Sequence, residues 1–344
     1  MPKVPLPALF SMPYNSVTTH FRDAMADDLN LNQQLFAAAA DGDSQGIVRL
    51  LALGADALYW ECLALREAAE HGHAECVKLL IPISNPKADN SSALARAAKH
   101  GHAECVELLI PVSNPNANNS GALGWAVHNG HAECVKLLIP VSDPKHDNSL
   151  ALRVAAGQGY LECVKLLIPI SDPKDDNSAA LATAAEHGHT ECVKILLPVS
   201  DPKADSSYAL RLAALHGHAE CVELLRFASD PKANDSLALR NAIANGRAGC
   251  ALLLVPVSDP LIGMVEDVAR IASTFDESAN VLPTLLALEP RLFDELNFPA
   301  ILAAATAKGH AKMALLISSI IEQKSLAAHL PSLAASNAPS PRRI

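Results

Sequence analysis

The stretch Ala93-Leu94-Ala95-Arg96-Ala97-Ala98-Lys99-His100-Gly101-His102-Ala103-Glu104-Cys105-Val106-Glu107-Leu108-Leu109-Ile110-Pro111 decides the fold. Its first half is rich in Ala, Leu and Arg, all good helix formers. Asn90 and Ser91 stand before it as N-cap residues. Gly101 ends this helix, because a residue of positive φ is needed there and glycine supplies it without a Cβ penalty. His102-Ala103-Glu104 starts a second helix, with Glu104 placed favourably for the helix dipole. Cys105, Val106, Leu108 and Leu109 supply its buried face. Pro111 then stops the helix by lacking an N–H and by restricting Ile110. Ser113-Asn114-Pro115 turns the chain, and Asn116 to Asn119 leads to the next helix.

The same unit returns along the chain. Cys76, Cys105, Cys134, Cys163, Cys192, Cys221 and Cys250 fall every 29 residues. A fixed period of this size is the mark of a stack of small supersecondary units, none of which can bury its apolar face alone. Half of the residues are hydrophobic and only 4% are aromatic, so the core has to be built from small and aliphatic side chains. Nothing in the unit reads as a strand of useful length. The sequence therefore predicts an all-α solenoid of helix-turn-helix repeats.

The pattern Ala-Leu-x-x-Ala-Ala-x-x-Gly-His followed by Glu-Cys-Val-x-Leu-Leu resembles the ankyrin repeat. The resemblance covers Leu31 to Ser319, and Gly-His recurs at Gly72-His73, Gly101-His102, Gly130-His131, Gly188-His189, Gly217-His218 and Gly309-His310. It implies an ankyrin-like α-solenoid of about ten helix pairs. The usual ankyrin period is about 33 residues, so these shortened, bacterial-type repeats are four residues short in the loop after the second helix. Two prolines per loop oppose ladder pairing, and β-hairpins are expected to be reduced or absent. The family's Thr-Pro start of the first helix is also replaced, for example by Ser92-Ala93.

The array has edges. Residues 1–30 read as an irregular N-terminal cap and 31–260 as the repeat array. Residues 261–323 read as degenerate C-terminal repeats, and 324–344, with Ser, Ala and Pro, as a disordered tail. Arg226-Phe227 interrupts the Ile-Pro rule, read here as drift with retained packing.

Composition and motif narrow the function. A net charge of −10, with no Lys/Arg cluster before Arg342-Arg343, gives no general attraction for nucleic acid or an anionic membrane. No apolar stretch reaches the ~18 residues a membrane span needs. The N-terminus is broken by Pro2, Pro5, Pro7 and Pro13, which does not fit a secretory signal. A cytoplasmic monomer with reduced cysteines is expected. His73-x-x-Cys76 and its repeats offer only two ligands per unit, short of the four of structural zinc. Each cysteine reads as a small core hydrophobe, and each Gly-His imidazole as a brace for its turn. There is no nucleophile elbow, phosphate-cradling loop or His-Glu-x-x-His. No catalytic residue, metal or cofactor is expected.

Positions fixed from unit to unit serve shared packing, so recognition has to lie in those that vary. These are the two residues after the first-helix leucine and the two before the turn glycine. By resemblance to ankyrins, this first helix lines the concave face and docks a protein partner. Trp, Tyr and Arg are favoured interface anchors, which singles out Trp125, Arg153, Tyr208, Arg211 and Arg240; His128, Gln158 and Leu212, at varying positions, complete the expected concave-face set. The reading is a non-enzymatic scaffold. Its alternatives are an enzyme or regulatory subunit whose activity resides in Leu261 to Phe298, and an effector secreted into a host cell.

Overall fold

A computed structural model describes residues 31–142, 146–259, 282–283, 286 and 296–336. The chain divides into two compact units, Met1–His146 and Asp147–Ile344. In the first, α1 (Leu31–Asp41) pairs with α2 (Ser44–Ala52), α3 (Tyr59–Glu70) with α4 (Ala74–Leu80), α5 (Ala88–His100) with α6 (Ala103–Leu109), and α7 (Ala117–His128) with α8 (Ala132–Leu138). First helices stack in the order α1, α3, α5, α7, and second helices in the order α2, α4, α6, α8.

The second unit repeats the plan with α9 (His146–Gln158), α10 (Leu161–Leu167), α11 (Asp175–Glu186), α12 (Thr190–Leu196), α13 (Ala204–His216), α14 (Ala219–Leu225), α15 (Ala233–Ala244) and α16 (Ala248–Leu254). Two further helices, α17 (Phe298–Ala307) and α18 (Ala311–Ser336), pack on each other. Among the described residues there is no strand, as the shortened loops predict. The helix α18 runs past Lys324, where the sequence predicts a tail, because Ser325 to His329 continues with helix-forming Leu and Ala. Residues 1–30, most of 261–295 and 337–344 lie outside the described residues.

Each repeat buries the same set. Ala93, Leu94, Ala97 and Ala98 from α5, with Cys105, Val106 and Leu109 from α6, are essentially inaccessible. The alanines let first helices approach closely, and the leucine fills the space between the two layers. The second helix of a full repeat lasts seven residues before the Ile-Pro step tightens it into a 3₁₀ turn, as at Ile81–Ile83. At Arg226-Phe227 the helix ends at the same place without proline. There Arg226 donates to the Leu253 carbonyl at 2.9 Å and stacks on Phe227 at 4.5 Å.

One expectation is corrected. Asn90 and Ser91 are not N-caps: with Asp89 they form a turn of positive φ (47°, 53° and 62°) ahead of the regular part of α5. The same turn occurs at Asp176-Asn177-Ser178, Asp205-Ser206-Ser207 and Asn234-Asp235-Ser236. Asn and Asp visit this region more readily than other side chains, whose cost is about 1–2 kcal/mol per residue. The last residue of each turn is buried and repays part of that cost. Ser91 Oγ accepts the Asn114 N–H at 2.9 Å, Ser178 that of Asp201, Ser207 that of Asp230 and Ser236 that of Asp259. In the earliest such turn, Cys62 Sγ takes the Asn85 N–H at 3.1 Å. Each turn thus ties its repeat to the loop of the next and does the joining that a hairpin does elsewhere.

Candidate functional site

The Gly-His turns and cysteines come first, because they carry most of the titratable groups. His102 Nε2 donates to the Glu70 carbonyl, His189 Nε2 to that of Gly157, and His218 Nε2 to that of Glu186, all at 2.8–3.0 Å. A carbonyl only accepts, so Nε2 carries the proton. The imidazole therefore braces the preceding repeat, satisfying a carbonyl at the end of its first helix. Arg247 stands in for histidine in the last full repeat, its Nε 3.4 Å from the Leu215 carbonyl.

The eight cysteines are buried and free. Burial pushes the thiols of Cys105, Cys134, Cys163 and Cys250 up to about 11, so they are poor nucleophiles at neutral pH. Among the described residues no cluster of His, Cys, Asp and Glu could hold a metal ion. No described helix is long and apolar enough to cross a membrane.

Histidine burial has a consequence for stability. His100 stacks on His102 at 6.4 Å. Desolvation holds both imidazoles below the ordinary 6.5, helped by the charges of His71 and His131 and, at His100, Lys99. Glu70 opposes this through its carboxylate at His100 and its carbonyl at His102. Below pH 6.5 the unfolded chain takes up protons on these residues that the folded chain still refuses, so stability falls with falling pH. The thermal midpoint is expected to drop between pH 7.5 and 5.5, and His100→Gln to flatten that slope. An unchanged slope in the variant would remove His100 from the effect.

The sequence-selected recognition residues fall into two places. In the first unit Trp125 is 46% exposed on α7, its ring edge-on to His128 at 6.2 Å and Lys99 Nζ 5.4 Å from its centroid. It is a surface residue of the first helix of its repeat.

In the second unit Arg153, Tyr208 and Leu212 line one groove of about 360 Å³ across α9, α11 and α13. Leu212 forms floor more than contact surface, being only 8% exposed. Arg211 packs over the Tyr208 ring at 5.1 Å and donates to the Asp205 carbonyl at 2.8 Å. Gln158 is exposed near the end of α9 and Arg240 is half-buried on α15; neither lines the groove.

The sequence reading passed over Asp176 and Asp205 and held Ala182 and Glu186 only as varying positions; all four also line it. A signal for them exists. Arg66 pairs with Asp89 at 3.0 Å and Arg153 with Asp176 at 2.9 Å, each across 23 residues. In the repeat that follows Arg153 the same register sets Ala182 against Asp205, and the arginine is missing.

Stacked helix pairs with a first-helix face bearing variable aromatic and charged residues define a repeat-type interaction fold. The family model for ankyrin repeats (three copies) matches residues 35–120, 112–177, 152–236 and 181–262. The chain belongs to the ankyrin-repeat family. Among solved structures it is similar to the ankyrin repeat domain of human ASB11, at 25% identity and a TM-score of 0.44, over 52% of this chain and 96% of that one. No curated protein matches the sequence. Ankyrin repeats are in general protein–protein interaction modules and typically non-enzymatic.

Proposed function

We propose that this protein is a non-enzymatic scaffold that docks a protein partner on the first-helix face of its repeats. The observation that carries the reading is the groove over α9, α11 and α13, with Tyr208 on its wall. Trp125 provides a second exposed aromatic anchor on the equivalent helix of the first unit. Large aromatic side chains are the residues that most often dominate binding energy, and here they are held on helices whose opposite sides are locked in the core. A pre-organised surface binds with little ordering cost. A cytoplasmic monomer acting without metal or cofactor is the setting we infer, supported by the acidic composition and buried, unreactive thiols.

The test begins with affinity selection of a partner on the full chain, followed by titration of that partner against variants. Trp125→Ala and Tyr208→Ala are each expected to weaken binding by more than about 1 kcal/mol, roughly fivefold, with circular dichroism unchanged. Equal affinity for both variants would move the docking site off this face.

A further inference from the structure

We infer that the groove of the second unit takes a lysine or arginine side chain from a basic segment of the protein partner. The inference rests on the first-helix face being the docking surface and adds what that surface recognises.

The repeats themselves show what is missing. At the position after the first-helix leucine, Arg66 reaches Asp89 of the following turn and Arg153 reaches Asp176, whereas Arg211 at the same position meets Asn234 in place of an aspartate. Those pairs bridge adjacent first helices. In the next repeat the register residue is Ala182, whose side chain ends at Cβ. Asp205 is left without the cross-repeat guanidinium, and the volume an arginine side chain would fill stays open as the groove. Arg211, from the same repeat as Asp205, replaces it only in part. Its Nη2 is engaged with the Asp205 carbonyl, and the carboxylate is 3.5 Å away. Arg66 makes the corresponding bond within its own repeat, to the Trp60 carbonyl, while also pairing across to Asp89.

Charge and shape agree on the occupant. The floor is Ala182 and Leu212, with the Tyr208 ring beside it, which suits the methylene stem of a long side chain. The rim holds the carboxylates of Asp176, Glu186 and Asp205. Arg153 already serves Asp176, and His216 Nε2 lies 4.0 Å from Glu186. Asp205, 55% exposed, faces open groove. Its φ of 44° places its backbone in the turn beside the groove. In a chain of net charge −10 a basic partner is also steered in from a distance.

The register supplies its own blocking variant. Ala182→Arg should restore the pattern of Arg66 and Arg153, filling the groove from within while leaving the fold intact. Phage-displayed random 12-residue peptides are selected on the full-length protein and counter-selected on Ala182→Arg. The expected survivors carry Lys or Arg beside an aliphatic residue, and bind at least roughly tenfold more weakly to Ala182→Arg and to Asp205→Asn. Thermal melts check that each variant folds, and Asp205→Asn with Glu186→Gln keeps the test valid should Ala182→Arg not fold. Survivors that respond to these variants but are neutral or acidic would overturn the basic occupant and keep the docking face. Peptides that bind wild type and variants alike, or no enrichment of groove-sensitive peptides, would overturn both.

Discussion

Leu181→Ala is expected to destabilise the protein by about 2–5 kcal/mol, toward the upper end of that range. Leu181 is completely buried on α11, which packs on α13 and pairs with α12. The substitution removes three carbons from the interior and leaves a hole whose cost depends on how far its surroundings relax. Relaxation is limited here, because most of the buried residues on the same helix are alanines (Ala180, Ala182, Ala184 and Ala185) with no rotamer to move into the space. For a unit of about 200 residues each kcal/mol corresponds to roughly 2–4 °C in melting temperature. Denaturant unfolding of the full chain measures the effect directly. Leu212→Ala, at the floor of the open groove, is the comparison and should cost clearly less. Equal losses would mean that the groove floor is as tightly enclosed as the core.

Much of this architecture is legible in the sequence because one short message is written many times. The 29-residue spacing fixes the stack, the glycine marks the turn, and the proline ends the second helix. Each feature acts through local backbone chemistry, so reading one repeat reads them all. The turn Asp89-Asn90-Ser91 was misleading for a physical reason. Asn, Asp and Ser are favoured both at N-caps and in turns, and Asn and Asp also tolerate positive φ. What decides between these roles is a partner 23 residues away, the Asn114 N–H that Ser91 receives. Local propensity carries no information about that bond.

The candidate site divides in the same way. Trp125, Tyr208 and Arg153 stand out by residue type, and each lies on a first helix of its own unit. Arg211 stands out equally, yet it is spent within the protein, on Asp205 and the ring of Tyr208. Ala182 is invisible to a search for anchors, since its contribution is the absence of an arginine. Only the pairing rule between neighbouring repeats, which needs the stack to be seen, gives that absence a meaning.

The turn glycine shows how one repeat dictates a residue in another. Gly188→Ala is expected to cost about 2–3 kcal/mol. About 1–2 kcal/mol of this is the penalty for a Cβ at a φ of +75°. The rest comes from the neighbouring repeat. A Cβ on Gly188 would fall 2.5 Å from His218 Nδ1, so the imidazole must shift and weaken its bond to the Glu186 carbonyl. Such a bond is worth about 1 kcal/mol net. The two contributions separate in a double-mutant cycle with His218→Ala. In the His218→Ala background the glycine substitution should cost only the backbone part, about 1–2 kcal/mol. Gly217 supports the same logic with different chemistry, since a Cβ there would meet Arg247 Cδ at 2.7 Å. The glycine is then required twice, by its own backbone and by the side chain that the next repeat lays over it. Identical costs in the two backgrounds would leave the backbone as the sole reason for glycine, and the histidine would be a brace that merely passes nearby.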